Sequence, residues 1–277
     1  MACHKPVDGI YRNNVYTPIH VGRTVSRFKD EMSDMIGDDT GDNISDKNGA
    51  YSELTAQYWA WKNVKDVEYI GFCHYRRYFN IDINEDNIGK LLDNNDVILL
   101  GCKSIDAVEN NMIHYMSIED VTIFMMVLRR LYPEYEQSLI DYLWNNEIHN
   151  KNMLVCRKDI FDGYAEWLFS ILSECEKYIR TSPYSRGKRL FGYLGEFFMA
   201  VYFLHHNYKI LNVGAINNPQ NIKLKGSCEK AKIEAEGIAR SLFYKIRKLF
   251  KSPPKTLDDY FLPEVLLGLK MDGICPE

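Results

Sequence analysis

The sequence has no CxxC pair. Its seven cysteines, at positions 3, 73, 102, 156, 175, 228 and 275, are scattered and odd in number, which argues against a closed disulfide framework and for reduced, mostly buried thiols in a cytosolic protein. No secretory leader opens the chain and no stretch approaches the roughly 20 apolar residues that a bilayer crossing needs, so the expectation is a protein that is soluble or lies on a membrane surface. The patterns GxxxxGK(S/T), HExxH, GxSxG and GxGxxG are all missing, which removes phosphate-loop, metalloprotease, serine-hydrolase and Rossmann dinucleotide chemistry at their minimum requirement. Charge of one sign is also scarce. With 34 Lys and Arg against 38 Asp and Glu the net charge is −4, without the positive field that recruits nucleic acid.

What is present is a chain of 277 residues, 46% hydrophobic, enough for one large core with a small appendage. Its 19 Tyr and 13 Phe offer flat apolar faces with polar edges that suit sugar rings as well as cores. The pattern reads as α/β without internal repeats. Pro6 ends a first strand stub, and a polar loop runs from Gly37 to Gly49. Ser52 is placed to cap a helix reaching Asn63, and the strand Tyr69 to Cys73 then ends in His74-Tyr75-Arg76-Arg77-Tyr78-Phe79. A helix, an apolar strand and a polar strand end in that order suggest a unit that gathers ligands at the strand's carboxyl end.

Further along, the sequence predicts a strand over Asp96–Leu100 and a helix to Leu131 opened by Ser117 with Asp120. Pro133 starts another helix, to about Asn146. A short strand Met153–Cys156 follows, then a long amphipathic helix capped by Asp159, a helix Gly192–His206 and a strand Lys209–Val213. The expected organisation is one domain over 1–217 and an appendage over 218–277.

At the strand end the sequence resembles a bacterial family of capsule and exopolysaccharide glycosyltransferases, long catalogued as a domain of unknown function, with a GT-A-like fold. The resemblance rests on Ala2-Cys3-His4-Lys5, on Tyr16 to Gly22, on Gly37 to Asn48, on Glu53-Leu54-Thr55 with Tyr58 to Asn63, and above all on Tyr69 to Phe79. Weaker matches extend through Tyr132 to Tyr135, Asn152-Met153, Trp167 to Leu172 and Arg189 to Glu196, so that it covers about residues 2 to 215. It implies transfer of a hexose, galactofuranose among similar enzymes, from a UDP-sugar to a lipid-linked glycan acceptor. Three departures from the resemblance stand out: the first strand is short, Met116, with His114 nearby, stands near a position where relatives tend to carry His, and Phe197 stands where relatives follow the helix glutamate with Arg. A degenerate, non-catalytic nucleotide- or glycan-binding relative is the rival reading.

Within that resemblance the donor site draws on His4, Lys5, Asp42, Asn43, Asn48, His74, Arg76 and Arg77. Arg76 and Arg77 occupy the place where many GT-A enzymes keep a metal-binding acidic pair, and guanidinium groups neutralise a diphosphate by bidentate bonds, which would make a metal optional. Asp42, Asn43, Ser45 and Asn48 can bond uracil and ribose, whereas Asp38, Asp39 and Asp42 offer hard oxygens to Mg or Mn; the blander alternative is a solvated turn. His74 reads equally as a core residue. Asn152 is a candidate for the acceptor, or an ordinary turn amide, and Arg186 and Arg189 are candidates for a carrier-lipid phosphate. Glu196, among Leu194, Phe197, Phe198 and Met199, is expected to be a buried general base of raised pKa, against a helix-dipole or salt-bridge role with Arg186 or Arg189.

In the appendage, Ala239, Leu242, Phe243, Ile246, Leu249 and Phe250 share one helical face, with Arg240, Lys245, Arg247, Lys248 and Lys251 on the other side. This is the pattern of an interfacial helix over 238–251 on the inner face of the cell membrane, or of a helix docked on protein.

Overall fold

The computed structural model describes residues 1–11, 13–217 and 227–274, with the side chains of 185, 186 and 227–231 left out of the description. In chain order the elements are β1 (Ala2–Cys3), β2 (Ile19–His20), β3 (Ile36–Gly37), α1 (Asn48–Tyr51), α2 (Leu54–Asn63), β4 (Tyr69–Phe72), β5 (Tyr78–Phe79), α3 (Ile88–Asp93), β6 (Val97–Lys103), α4 (Val108–Met112), α5 (Ile118–Leu131), α6 (Glu136–Leu143), β7 (Glu147–Arg157), α7 (Lys158–Cys175), α8 (Ser185–Lys188), α9 (Leu190–His205), β8 (Ile210–Val213), β9 (Ala215–Ile216), α10 (Ser227–Lys248) and α11 (Pro263–Met271). The chain is α/β, as the sequence pattern leads one to expect.

The described residues group by contact into two compact units, one drawn from Met1–Gly101, Asn150–Glu166 and Tyr208–Ser227, the other from Cys102–His149, Trp167–Asn207 and Cys228–Glu277. In the first unit β1, β2 and β3 form a parallel sheet with Cys3, His20 and Gly37 aligned across it. Ala2 also bridges His74 in parallel, which seats β1 beside the second residue after β4. The larger sheet runs β4-β7-β6-β8, antiparallel between β4 and β7 and parallel between β6 and β8. Val97 to Leu100 are all buried, the behaviour of a strand covered on both faces. Met1, Tyr16, Tyr78, Phe79, Ile98, Met153 and Val213 make one apolar cluster of this unit.

Two local expectations are corrected. The cap position of α2 is Glu53 and not Ser52; Ser52 closes α1 at φ 52°, and its carbonyl receives Thr55 N at 3.3 Å and Asn48 Nδ2 at 2.7 Å. The strand expected over Met153–Cys156 begins six residues earlier, at Glu147, because its first half is polar and carries two residues in the left-handed region, Lys151 (φ 70°) and Asn152 (φ 48°).

In the second unit α5 begins as its sequence predicts, with Ser117 accepting Asp120 N at 3.1 Å. Phe124 of α5 stacks on Phe198 of α9 with ring centroids 4.0 Å apart, and α9 is apolar on nearly every side and correspondingly buried. The tail is tied to this unit by polar contacts. Tyr244 Oη and Lys248 Nζ donate to the Trp144 carbonyl, Arg247 pairs with Asp106, and Arg240 Nη1 donates to the Lys103 carbonyl at 3.3 Å. Beyond α10, Leu257 is fully buried, its N–H donates to Glu136 Oε1 at 3.1 Å, and Asp258 pairs with Arg129 at 2.7 Å. Among the described residues no helix is long and apolar enough to cross a membrane.

Candidate functional site

The parallel register of β1, β2 and β3 brings their carboxyl ends to one edge, where His4 and Lys5, Gly22 and Arg23, and Asp38 and Asp39 emerge. Asp38 is the polar centre of this edge. It is wholly buried, and its carboxylate accepts from Gly22 N (2.8 Å), Arg23 N (3.1 Å), Ser45 Oγ (2.5 Å) and Thr55 Oγ1 (2.6 Å). Four donors take up the lone pairs of both oxygens, so this carboxylate is scaffold. The hub draws in Gly22, which adopts φ 66° and leaves no room for a side chain, since an added Cβ would lie 2.6 Å from Asn48.

The polar loop that follows is largely bonded to itself and to α2. Asn43 Oδ1 accepts Ser45 N at 3.2 Å and its Nδ2 donates to the Gly41 carbonyl at 2.9 Å, while Asn48 Nδ2 also reaches Thr55 Oγ1 at 3.1 Å. Gly41 sits at φ 57°, with the Asn63 side chain where a Cβ would be. Asp42 is exposed; its carboxylate accepts Tyr58 Oη at 3.1 Å and its carbonyl accepts Asn63 Nδ2 at 2.8 Å. Asp39 faces Arg23 at 3.7 Å. Asp38, Asp39 and Asp42 therefore turn to three different partners, and among the described residues no three His, Cys, Asp or Glu side chains converge as a metal site. The acidic set proposed for Mg or Mn does not fit one ion.

The second polar assembly lies at the end of β4. Beyond it the aromatic and thiol side chains turn inward and the basic ones outward: Cys73, Tyr75, Tyr78 and Phe79 are buried, His74 and Arg77 are partly exposed and Arg76 is exposed. Burial pushes the Cys73 thiol up to about 11, so it stays protonated. His74 Nε2 lies 2.8 Å from the Lys151 carbonyl and 3.7 Å from Glu53 Oε1. A carbonyl only accepts, so Nε2 carries the proton. Burial lowers the His74 pKa; Glu53 and the Lys151 carbonyl oppose this, and the Arg77 and Arg76 charges reinforce it. The ring is neutral near pH 7, with Nδ1 the acceptor nitrogen.

Beneath His74 lies a buried relay. Glu53 Oε1 accepts Asn152 Nδ2 at 3.0 Å, and the Asn152 carbonyl accepts Gln57 Nε2 at 2.9 Å. Glu53, Gln57 and Asn152 are each less than a tenth exposed. The left-handed pair Lys151–Asn152 turns the Lys151 carbonyl to His74 and the Asn152 amide to Glu53; non-glycine residues in that region cost about 1–3 kcal/mol each, and such strain clusters at functional sites. Asn152 is thus neither a solvent-facing turn amide nor an open surface group. Glu53, Gln57 and Lys151 join the site without having been singled out from sequence. Their available signal was the polar pair Glu53 and Gln57, one helical turn apart among buried Leu54, Ala56 and Ala60. His4 and Lys5 are exposed, with the His4 ring edge-on to Tyr75 at 5.6 Å.

The second unit holds the other candidates. Arg189 precedes α9 with its guanidinium 5.3 Å from the Tyr193 ring centre, and Glu196 lies well inside α9, half-buried. The two departures from the family pattern are apolar and buried here. Phe197 packs on Tyr115 with ring centroids 5.6 Å apart, and Met116 is 5% exposed. The Arg186 side chain lies outside the described residues.

The model of a family described as Domain of unknown function (DUF4422) matches residues 1–207. The chain belongs to the DUF4422 family. The match takes in every candidate residue named above and ends before α10. Among solved structures the chain is similar to the WbbM bifunctional glycosyltransferase in its apo form, with a TM-score of 0.66 and 29% identity over 78% of this chain. The similarity covers 45% of that longer chain, so this DUF4422 protein spans less than half of its length. The GT-A-like, α/β fold expected from the sequence agrees with this likeness. Comparison with curated proteins finds no match.

Proposed function

We propose that this protein is a glycosyltransferase that moves a hexose, galactofuranose being one such sugar, from a UDP-sugar to a lipid-linked glycan during synthesis of a bacterial surface polysaccharide. The observation that carries the reading is the strand end after β4, where a neutral histidine beside the buried Glu53–Asn152 pair lies within the electrostatic reach of two arginines that follow it in sequence. Arg76 and Arg77 suit a diphosphate, because bidentate bonds from guanidinium groups match its oxygens and need no divalent ion. His74, with Nδ1 as acceptor, suits a sugar or ribose hydroxyl. Asp42 and the loop around Asn43 and Asn48 are assigned to the nucleoside, and His4 and Lys5 to the outer phosphate. The likeness to a glycosyltransferase supports the same class.

In the reaction proposed, an acceptor hydroxyl attacks the anomeric carbon, the bond from that carbon to the diphosphate oxygen breaks, and UDP leaves with the electron pair. Glu196 takes the hydroxyl proton, with Arg186 and Arg189 assigned to the acceptor; Asn152, the third acceptor candidate of the sequence, is buried and instead holds Glu53 behind His74. The test is UDP release on mixing the protein with a panel of UDP-hexoses and lipid-linked acceptor. Release above the uncatalysed rate with one donor is expected, and Glu196→Gln is expected to retain donor binding while transfer falls by about 10²-fold or more. A non-catalytic, ligand-binding relative is the second reading, favoured by the buried apolar Phe197 and Met116 where relatives carry Arg and His. Binding of UDP without any release would select it.

A further inference from the structure

An amphipathic helix packed on a water-soluble unit ordinarily turns its apolar stripe inward. α10 does the reverse. Advancing about 100° per residue, Ile238, Leu242, Phe243 and Ile246 fall within an arc of about 140°, and Leu249 and Phe250 follow in the turn just past the helix end. All six are solvent-exposed, from 51% for Ile246 to 75% for Leu249 and 91% for Phe250. The opposite side is the one that docks. Tyr244 is 8% exposed, and the partners already described, Lys103, Asp106 and Trp144, receive Arg240, Arg247, and Tyr244 with Lys248. Lys248 lies 4.1 Å from the Trp144 ring centre. Polar bonds thus hold the helix with its greasy face outward.

The charge around that face indicates what covers it. From Gly237 to Leu257 the chain carries six cations, Arg240, Lys245, Arg247, Lys248, Lys251 and Lys255, and no acid, in a protein of net charge −4. Lys245 flanks the apolar arc and is exposed, as are Lys251 and Lys255 just beyond the helix end. We infer that the outward face of α10 is a docking surface for a bilayer containing anionic lipid, into which Leu242, Phe243, Ile246, Leu249 and Phe250 sink while the lysines meet phosphate headgroups. A second copy is the weaker fit, since an isologous pair joined through this face would set each helix's cations against those of its twin. The inference rests on α10 alone and stands whether or not the protein transfers a sugar.

The test is flotation of the full chain with phosphatidylcholine vesicles, with and without phosphatidylglycerol, at low and high salt. Binding is expected to the anionic vesicles at low salt, with little to the neutral ones and release as salt screens the lysines. The double variant Leu249→Ser, Phe250→Ser is expected to lose at least about tenfold in binding with no change in melting temperature, because both residues are already in water. Lys245→Glu with Lys251→Glu gives a second route to the same loss without touching the apolar face. Equal binding to both vesicle types, or no binding, overturns the inference. So does a dimer of the wild type in solution that the serine variant converts to monomer, since the face would then belong to a second copy.

Discussion

Asp38 follows β3 and His74 comes soon after β4, both in the first unit, the first wholly buried and the second partly exposed. The Asp38 carboxylate meets four donors within 3.1 Å, two of them backbone N–H groups from the turn after β2. His74 makes one bond to a backbone carbonyl, sits 3.7 Å from Glu53 and has two arginines beside it, one of them exposed. A buried polar group whose every lone pair is answered locally can only hold the backbone in place. A neutral ring that keeps an acceptor nitrogen beside two cations has bonding capacity to give to something else. The same unit thus separates a fastener from a candidate binding surface, by hydrogen-bond capacity and not by residue type.

Breaking the fastener gives the largest expected effect. Asp38→Asn turns an amide N–H toward groups that already donate, and the loss expected for a dismantled buried network is about 3–5 kcal/mol. In a chain of this size that lowers the melting temperature by roughly 10 °C or more, read by calorimetry or circular dichroism. A change of only a degree or two would mean that the four bonds are not a fastener.

A smaller effect separates the two regions by pH. Burial lowers the pKa of His74 and also of His20, which is fully buried in β2. The unfolded chain therefore takes up protons at both imidazoles below about pH 6.5 while the folded chain does not, so stability is full above that value and falls as the pH drops below it. Each group contributes a slope of at most about 1.4 kcal/mol per pH unit. Chemical denaturation at pH 6.5 and 5.5 should show a shallower fall for His74→Gln than for wild type. Equal slopes would mean that His74 is already charged in the fold.

The legible parts of the fold are those with local signatures. The cap Ser117 with Asp120 opens α5 where its spacing says it should, and Val97 to Leu100 of the expected Asp96–Leu100 strand are buried strand residues. The Glu53–Gln57 pair carries a local signal, but its partner Asn152 was not legible, because it lies 95 positions from Gln57 and 99 from Glu53 and sits on β7, which pairs with β4 far from it in sequence. Of the left-handed pair Lys151–Asn152 only Asn152 is of a residue type that favours that region, and nothing in the sequence announces Lys151 there. For α10 the periodicity located the apolar stripe, yet the direction it faces depends on tertiary bonds from Tyr244, Arg247 and Lys248 to Trp144 and Asp106.

The central claim, that the strand end after β4 is built for a diphosphate, is tested most directly by calorimetric titration of UDP and of uridine into wild type and into Arg76→Ala and Arg77→Ala. UDP is expected to bind wild type far more tightly than uridine. Each alanine variant is expected to lose about 1.5–3 kcal/mol of UDP affinity, leaving uridine affinity and melting temperature unchanged. No binding of UDP by wild type, or equal losses of UDP and uridine in the variants, would contradict the account.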